Sequence, residues 1–238
     1  MNKIIIFLFV ISHLVLTRCS VEKRVETLVI GDITDDNTDD NTDDSTKCVL
    51  KGIFDKKTDG MIEAKYLDNK RLVEITVDID FKNFSGLTAK DKLDWSLNTS
   101  WNSAKTSLTG KKSCKVEKTG YHYDPKVKCG PLSDKIIRST QSARVINNLC
   151  LNKNGEQVSP NTYECSQENT KLCERGDLSG KFGQLKVKSK KPTFKKFVDD
   201  NFVSKKEAKD PNSDFSFVLT KGDKRILCAK AVFSCSSI

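Results

Sequence analysis

The sequence predicts an all-β protein: an antiparallel sandwich or barrel with long, disulfide-bonded loops. Two observations carry this. Short segments of apolar–polar alternation recur from residue 48 to the end of the 238-residue chain, the period of two expected of half-buried strands. Eight of the nine cysteines fall in the same region, at Cys48, Cys114, Cys129, Cys150, Cys165, Cys173, Cys228 and Cys235. That even count implies a disulfide framework in an oxidising compartment. No Cys-x-x-Cys pair is present to suggest a zinc cage instead.

Residues 1–19 read as a secretory signal. Lys3 precedes an apolar run from Ile4 to Leu16, a stretch of signal-peptide length and too short for a transmembrane helix. Residues 20–47 read as an acidic linker: the run from Asp35 to Asp44 repeats an Asp-Asp-Asn-Thr unit with no apolar residue to bury. Such a tract offers oxygen ligands, but it lacks the glycine turn and closing glutamate of a calcium loop, so a solvated spacer is expected. Net charge is +9 and unevenly placed: residues 1–45 carry four basic against nine acidic side chains, and the rest carries 37 against 23. The folded region, 48–238, should therefore attract anions.

Strand signals follow in order. Cys48–Phe54 is the first and Met61–Tyr66 the second, after the Asp59-Gly60 turn. Leu72–Phe81 alternates most clearly, with Val73, Ile75, Val77, Ile79 and Phe81 on one face and Glu74, Thr76, Asp78 and Asp80 on the other. Trp95–Trp101, Leu185–Val187, Asp214–Thr220 and Arg225–Cys235 complete the set. Between Leu108 and Cys173 the pattern dissolves into a cysteine-containing loop region. Residues 190–208 are ambiguous: Phe194, Phe197, Val198 and Phe202 fit a short amphipathic helix, whereas Pro192 and the lysines fit a loop.

Two short segments carry chemistry. Gly120-Tyr121-His122-Tyr123-Asp124-Pro125 and Cys173-Glu174-Arg175-Gly176-Asp177-Leu178 resemble the metal-site loops of Cu/Zn superoxide dismutases. The opening Cys48-Val49-Leu50-Lys51-Gly52, the turn Ser85-Gly86-Leu87-Thr88 and the closing Arg225-Ile226-Leu227-Cys228 resemble other parts of that family in the same order. The resemblance spans about Cys48 to Val232. It implies an eight-stranded antiparallel Greek-key β-barrel. It would make His122 the metal-bridging histidine, Asp177 a zinc ligand and Arg225 the anion-guiding arginine. It also implies a Cys114–Cys228 bridge. Cys48 and Cys235, on the first and last strands, would be barrel neighbours and could pair; for the remaining four, Cys129–Cys173 with Cys150–Cys165 is one of three connectivities.

The departures from the family bear on function. Its copper site is built from histidines, yet His122 is the only histidine after residue 20. Ser96 and Asn98 stand where a strand should give two imidazoles, and no histidine lies near 201–206. One imidazole cannot support copper cycling, so neither copper nor dismutase activity is expected. A residual zinc site on His122, Asp177 and Glu174 is chemically acceptable; the plainer expectation is no cofactor, with Asp177 capping loop N–H groups. The reading is thus a secreted superoxide dismutase-like protein with a binding or structural role, with residual zinc binding or an atypical dismutase as alternatives.

Sequons occur at Asn83 and Asn98. Nine lysines crowd residues 181–206, and Lys186, Lys188, Lys190 and Lys191 form the candidate polyanion patch. With little aromatic interleaving for base stacking, a sulfated glycan or acidic surface is a better partner than nucleic acid, against the simpler expectation of a solvated face. A homodimer is compatible with the family but compelled by no apolar patch.

Overall fold

Three strands, β1 (Thr46–Phe54), β2 (Asp59–Tyr66) and β3 (Val73–Asp80), run as an antiparallel meander. Alternation sets their faces: Val73, Ile75, Val77 and Ile79 are buried while Glu74, Thr76, Asp78 and Asp80 face outward. Each fully buried branched side chain contributes about 1.5–3 kcal/mol relative to exposure. The computed structural model describes residues 46–54, 59–67, 72–134, 162–188 and 191–237. The signal, most of the acidic linker, Cys150 and Lys190 lie outside the described residues.

The chain continues through β4 (Lys92–Asn98), β5 (Ser107–Thr109) and the short helix α1 (Val116–Thr119). After a 3-10 turn at Thr170–Leu172 come α2 (Leu178–Phe182), β6 (Leu185–Lys186), β7 (Thr193–Asp199) and α3 (Lys205–Lys209). The hairpin β8 (Ser216–Lys221) and β9 (Lys224–Ser237) ends the fold. Eight strands follow one antiparallel path, β6-β4-β8-β9-β1-β2-β3-β7, and β5 pairs off it with β9. The path curls into a nearly closed barrel. Its two ends meet where the Thr193 hydroxyl of β7 donates to the Lys186 carbonyl of β6 at 2.9 Å. Leu50, Ile62, Ile75, Leu97, Phe217 and Leu227 are among the residues that fill the interior. Among the described residues no helix is long and apolar enough to cross a membrane.

Several sequence expectations change here. Residues 193–199 are a strand rather than a helix. β3 offers an unpaired edge, and seven register pairs between β3 and β7 outweigh a four-residue apolar pattern. Of the candidate polyanion patch, Lys186 lies on β6 and Lys188 beyond its end, and the strand expected over Leu185–Val187 stops at Lys186. Cys48–Cys235 and Cys114–Cys228 are bridged. Cys173 pairs with Cys165, eight residues away, instead of with Cys129. That bridge also excludes Cys150–Cys165, because the 3-10 turn folds Cys173 back onto its own loop. Cys129 is disulfide-bonded as well.

Candidate functional site

Three segments meet through a ring of backbone hydrogen bonds. Leu97 N–H donates to Gly176 O at 2.9 Å, Gly176 N–H to Tyr123 O at 2.8 Å, and Tyr123 N–H to Leu97 O at 3.0 Å. The ring ties β4 to the two loop motifs and requires glycine at 176, since a Cβ there would collide with Leu97 O and Tyr123 N. A second tie comes from α2. Ser179 Oγ accepts from Trp95 N–H at 2.6 Å and donates back to Trp95 O at 3.1 Å.

His122 is thereby held between β4 and the following loop, bridging Asn98 on one side and Ser133 on the other. Its Nδ1 lies 2.7 Å from Glu174 Oε2, with side-chain exposures of 13% and 1%. Glu174 Oε1 is buried with no hydrogen-bond partner. Burial pushes the Glu174 carboxyl above the usual carboxylate range, against the opposing effect of His122. Asp177 stands nearby but is committed elsewhere. Its Oδ1 caps α2 by accepting from Gly180 N–H at 2.8 Å, and its Oδ2 accepts from Tyr163 Oη at 3.1 Å. Tyr163 Oη in turn accepts from Glu174 N–H at 2.8 Å. Of the three sequence-predicted metal ligands, His122 and Glu174 therefore touch, and Asp177 joins them through Tyr163. Among the described residues no group of three or more His, Cys, Asp and Glu side chains is placed to hold a metal.

The strand positions that should give imidazoles hold a closed polar network. Ser96 Oγ donates to Asn98 Oδ1 at 2.7 Å, and Asn98 Nδ2 donates to Gly120 O at 3.1 Å. Gly120 takes a φ of 68°, a left-handed conformation easy for glycine. Asn98 is 1% exposed, so the fold leaves no room for a glycan on it. Asn83 sits in an exposed turn. Near the third position, buried Asn201 donates through Nδ2 to Thr170 O and Cys173 O. The hydroxyl and amide groups at these positions are thus engaged with one another and with backbone carbonyls. Arg225 Nη1 donates to Thr119 Oγ1 at 2.6 Å and Gly120 O at 2.7 Å, beside the same network.

Sequence reasoning missed three residues. Asp124 organises the loop after His122: its carboxylate accepts from Lys128 N–H, Cys129 N–H and Ser133 Oγ at 2.7–2.8 Å. Its place beside Pro125 was the available signal. Tyr163, outside both loop motifs, gave none. Lys181 read as one more surface lysine, yet it is buried and donates to Asp199 Oδ2, Arg175 O and Asn201 O.

No family model matches the chain, and no curated protein does. Among solved structures it is similar to Candida albicans superoxide dismutase 5 in several single-mutant forms. One is 15% identical with a TM-score of 0.46, covering 81% of this chain and 94% of that one. Another is 14% identical with a TM-score of 0.43, covering 79% and 92%.

Proposed function

We propose that this chain is a superoxide dismutase-like extracellular barrel that serves a binding or structural role without copper redox chemistry. The observation that supports it is the Ser96–Asn98–Gly120 network, which closes the strand positions where the resemblance calls for copper imidazoles. The disulfides are compatible with secretion. Elemental mass spectrometry of the secreted protein, together with a superoxide dismutation assay, tests the reading. Less than stoichiometric copper and no dismutation above buffer are expected. One copper per chain with copper-dependent turnover would overturn it.

One observation favours a second reading, residual zinc binding. Glu174 Oε1 is buried and unpaired beside His122, a carboxylate–imidazole pair of the type zinc accepts. Completing the site would require Asp177 to leave Gly180 and Tyr163. Zinc near one per chain, lost in His122→Ala, is the result this reading expects. Zinc-free protein after equilibration with zinc would sink it.

A further inference from the structure

We propose that the open seam of the barrel, between β6 and β7, is a binding site for a sulfated saccharide. β6 has only two residues, so the sheet stops short of closure there, and the seam leaves a cleft of about 310 Å³. That volume lies at the small end of the range of ligand sites, about 300–1,000 Å³. Its floor is aromatic. The Phe182 and Phe197 rings stack with centroids 4.8 Å apart, and Trp95 lies beneath them, 5.4 Å from Phe197. Its rim carries Lys92, Lys186 and Lys195, with the Gln167 amide beside them.

The placement of the lysines points to an anionic occupant. Lys92 and Lys186 are directly opposite in the β4–β6 register, and like charges in that relation destabilise a sheet. Lys195 occupies the inward-facing register of β7, with Thr193, Phe197 and Asp199, and is exposed because β6 ends before covering it. Neighbouring lysines do find acids: Lys196 pairs with Glu74 at 3.2 Å and Lys221 with Asp91 at 2.9 Å. Lys92, Lys186 and Lys195 have no such pair among the described residues. Asp94, which accepts from the lining Gln184 at 2.9 Å, is engaged by that amide.

The aromatic floor narrows the ligand. Phe182 and Phe197 pack on one another, so a ligand meets one shared apolar surface rather than a slot between rings. A pyranose ring laid flat presents its C–H face to such a surface, while its sulfate groups reach the surrounding ammonium groups. Lysines on the free edge of β7 also deter strand-to-strand association, and the test separates that role from binding.

The inference deepens the binding role proposed above. The copper and dismutation assays test that role, whereas a saccharide titration tests this site, and either can fail without the other. The full chain, in a Trp101→Phe background that leaves Trp95 as the reporting indole, is titrated with a heparin-derived tetrasaccharide and followed by fluorescence and calorimetry. The Lys92→Gln/Lys186→Gln/Lys195→Gln variant is compared with a charge-matched Lys111→Gln/Lys112→Gln/Lys209→Gln control. The seam variant should bind at least about tenfold more weakly, a difference of about 1.4 kcal/mol, and lose the Trp95 response, with the control close to the parent. Equal losses in both variants would show diffuse attraction and overturn the site. So would a parent that does not bind, or a seam variant that self-associates with its affinity unchanged. Equal affinity for an unsulfated, carboxylated tetrasaccharide would overturn the sulfate assignment.

Discussion

Tyr66, at the end of β2, shows how a single buried polar atom shapes the pH response. Its hydroxyl is buried with no hydrogen-bond partner, and its ring meets Phe233 edge-on at 5.9 Å. Burial, reinforced by the nearby Glu207 charge, holds its ionisation far above the ordinary value of 10.0. The native state keeps this proton while the unfolded chain releases it near pH 10. Stability is therefore unaffected by this group below that pH and falls as pH rises beyond it, by about 1.4 kcal/mol per pH unit. Tyr66→Phe removes both the orphaned hydroxyl and its share of the slope. Denaturant titrations at pH 7 and 10.5 should show the variant at least as stable as the parent at pH 7, by up to about 1 kcal/mol, with its advantage widening at pH 10.5. An advantage that stays constant across the two pH values would mean that Tyr66 is not held neutral by its surroundings.

At the scale of elements, the same rules explain what was legible and what was not. β3 could be read directly because both its faces obey one period: in toward Ile62 and Phe197, out toward solvent. β7 could not. Phe194 and Val198 are 50% and 56% exposed, and of the aromatic pair only Phe197 turns inward, so its hydrophobic spacing imitates a helix face. β4 is legible as a strand but not as a site, because Ser96 and Asn98 are buried polar residues bonded to each other, and the partner that closes their network, Gly120 O, lies 22 residues beyond Asn98. Lys181 on α2 and Asp199 on β7 are the extreme case: both side chains are fully buried, and their 2.5 Å contact joins residues 18 positions apart. Burial lowers the Lys181 ammonium below its ordinary range, and Asp199 opposes that shift. Removing one partner leaves a buried charge, at a cost of about 3–5 kcal/mol. Lys181→Ala should therefore lose that much in denaturant unfolding, and Lys181→Met/Asp199→Asn should recover a large part of it. A double variant no more stable than Lys181→Ala would show that the lost bonds to Arg175 O and Asn201 O, rather than the stranded carboxylate, set the cost.

At the scale of the molecule, the disulfides can be ranked by the chain they close. Cys48–Cys235 spans 187 residues, Cys114–Cys228 spans 114 and Cys165–Cys173 spans eight. Constraint of the unfolded chain gives about 5 kcal/mol for each of the first two and about 2.5 kcal/mol for the third. Their native surroundings separate them further. Cys48 and Cys235 are already partners in the β1–β9 ladder, so reduction leaves that register hydrogen-bonded. Cys114 stands just before α1 and the His122 loop, and its bond to β9 anchors that segment to the barrel. Paired cysteine-to-alanine variants should thus divide two properties that are usually lost together. The Cys48/Cys235 and Cys114/Cys228 variants should lose similar stability, and Cys165/Cys173 clearly less. In native-state hydrogen exchange, opening of residues 115–134 should rise in the Cys114/Cys228 variant and stay near the parent in the Cys48/Cys235 variant. If exchange in 115–134 is unchanged when Cys114–Cys228 is removed, the Asp124 hydrogen bonds and the Leu97–Tyr123–Gly176 ring hold that loop by themselves. The bridge would then act on the unfolded chain alone.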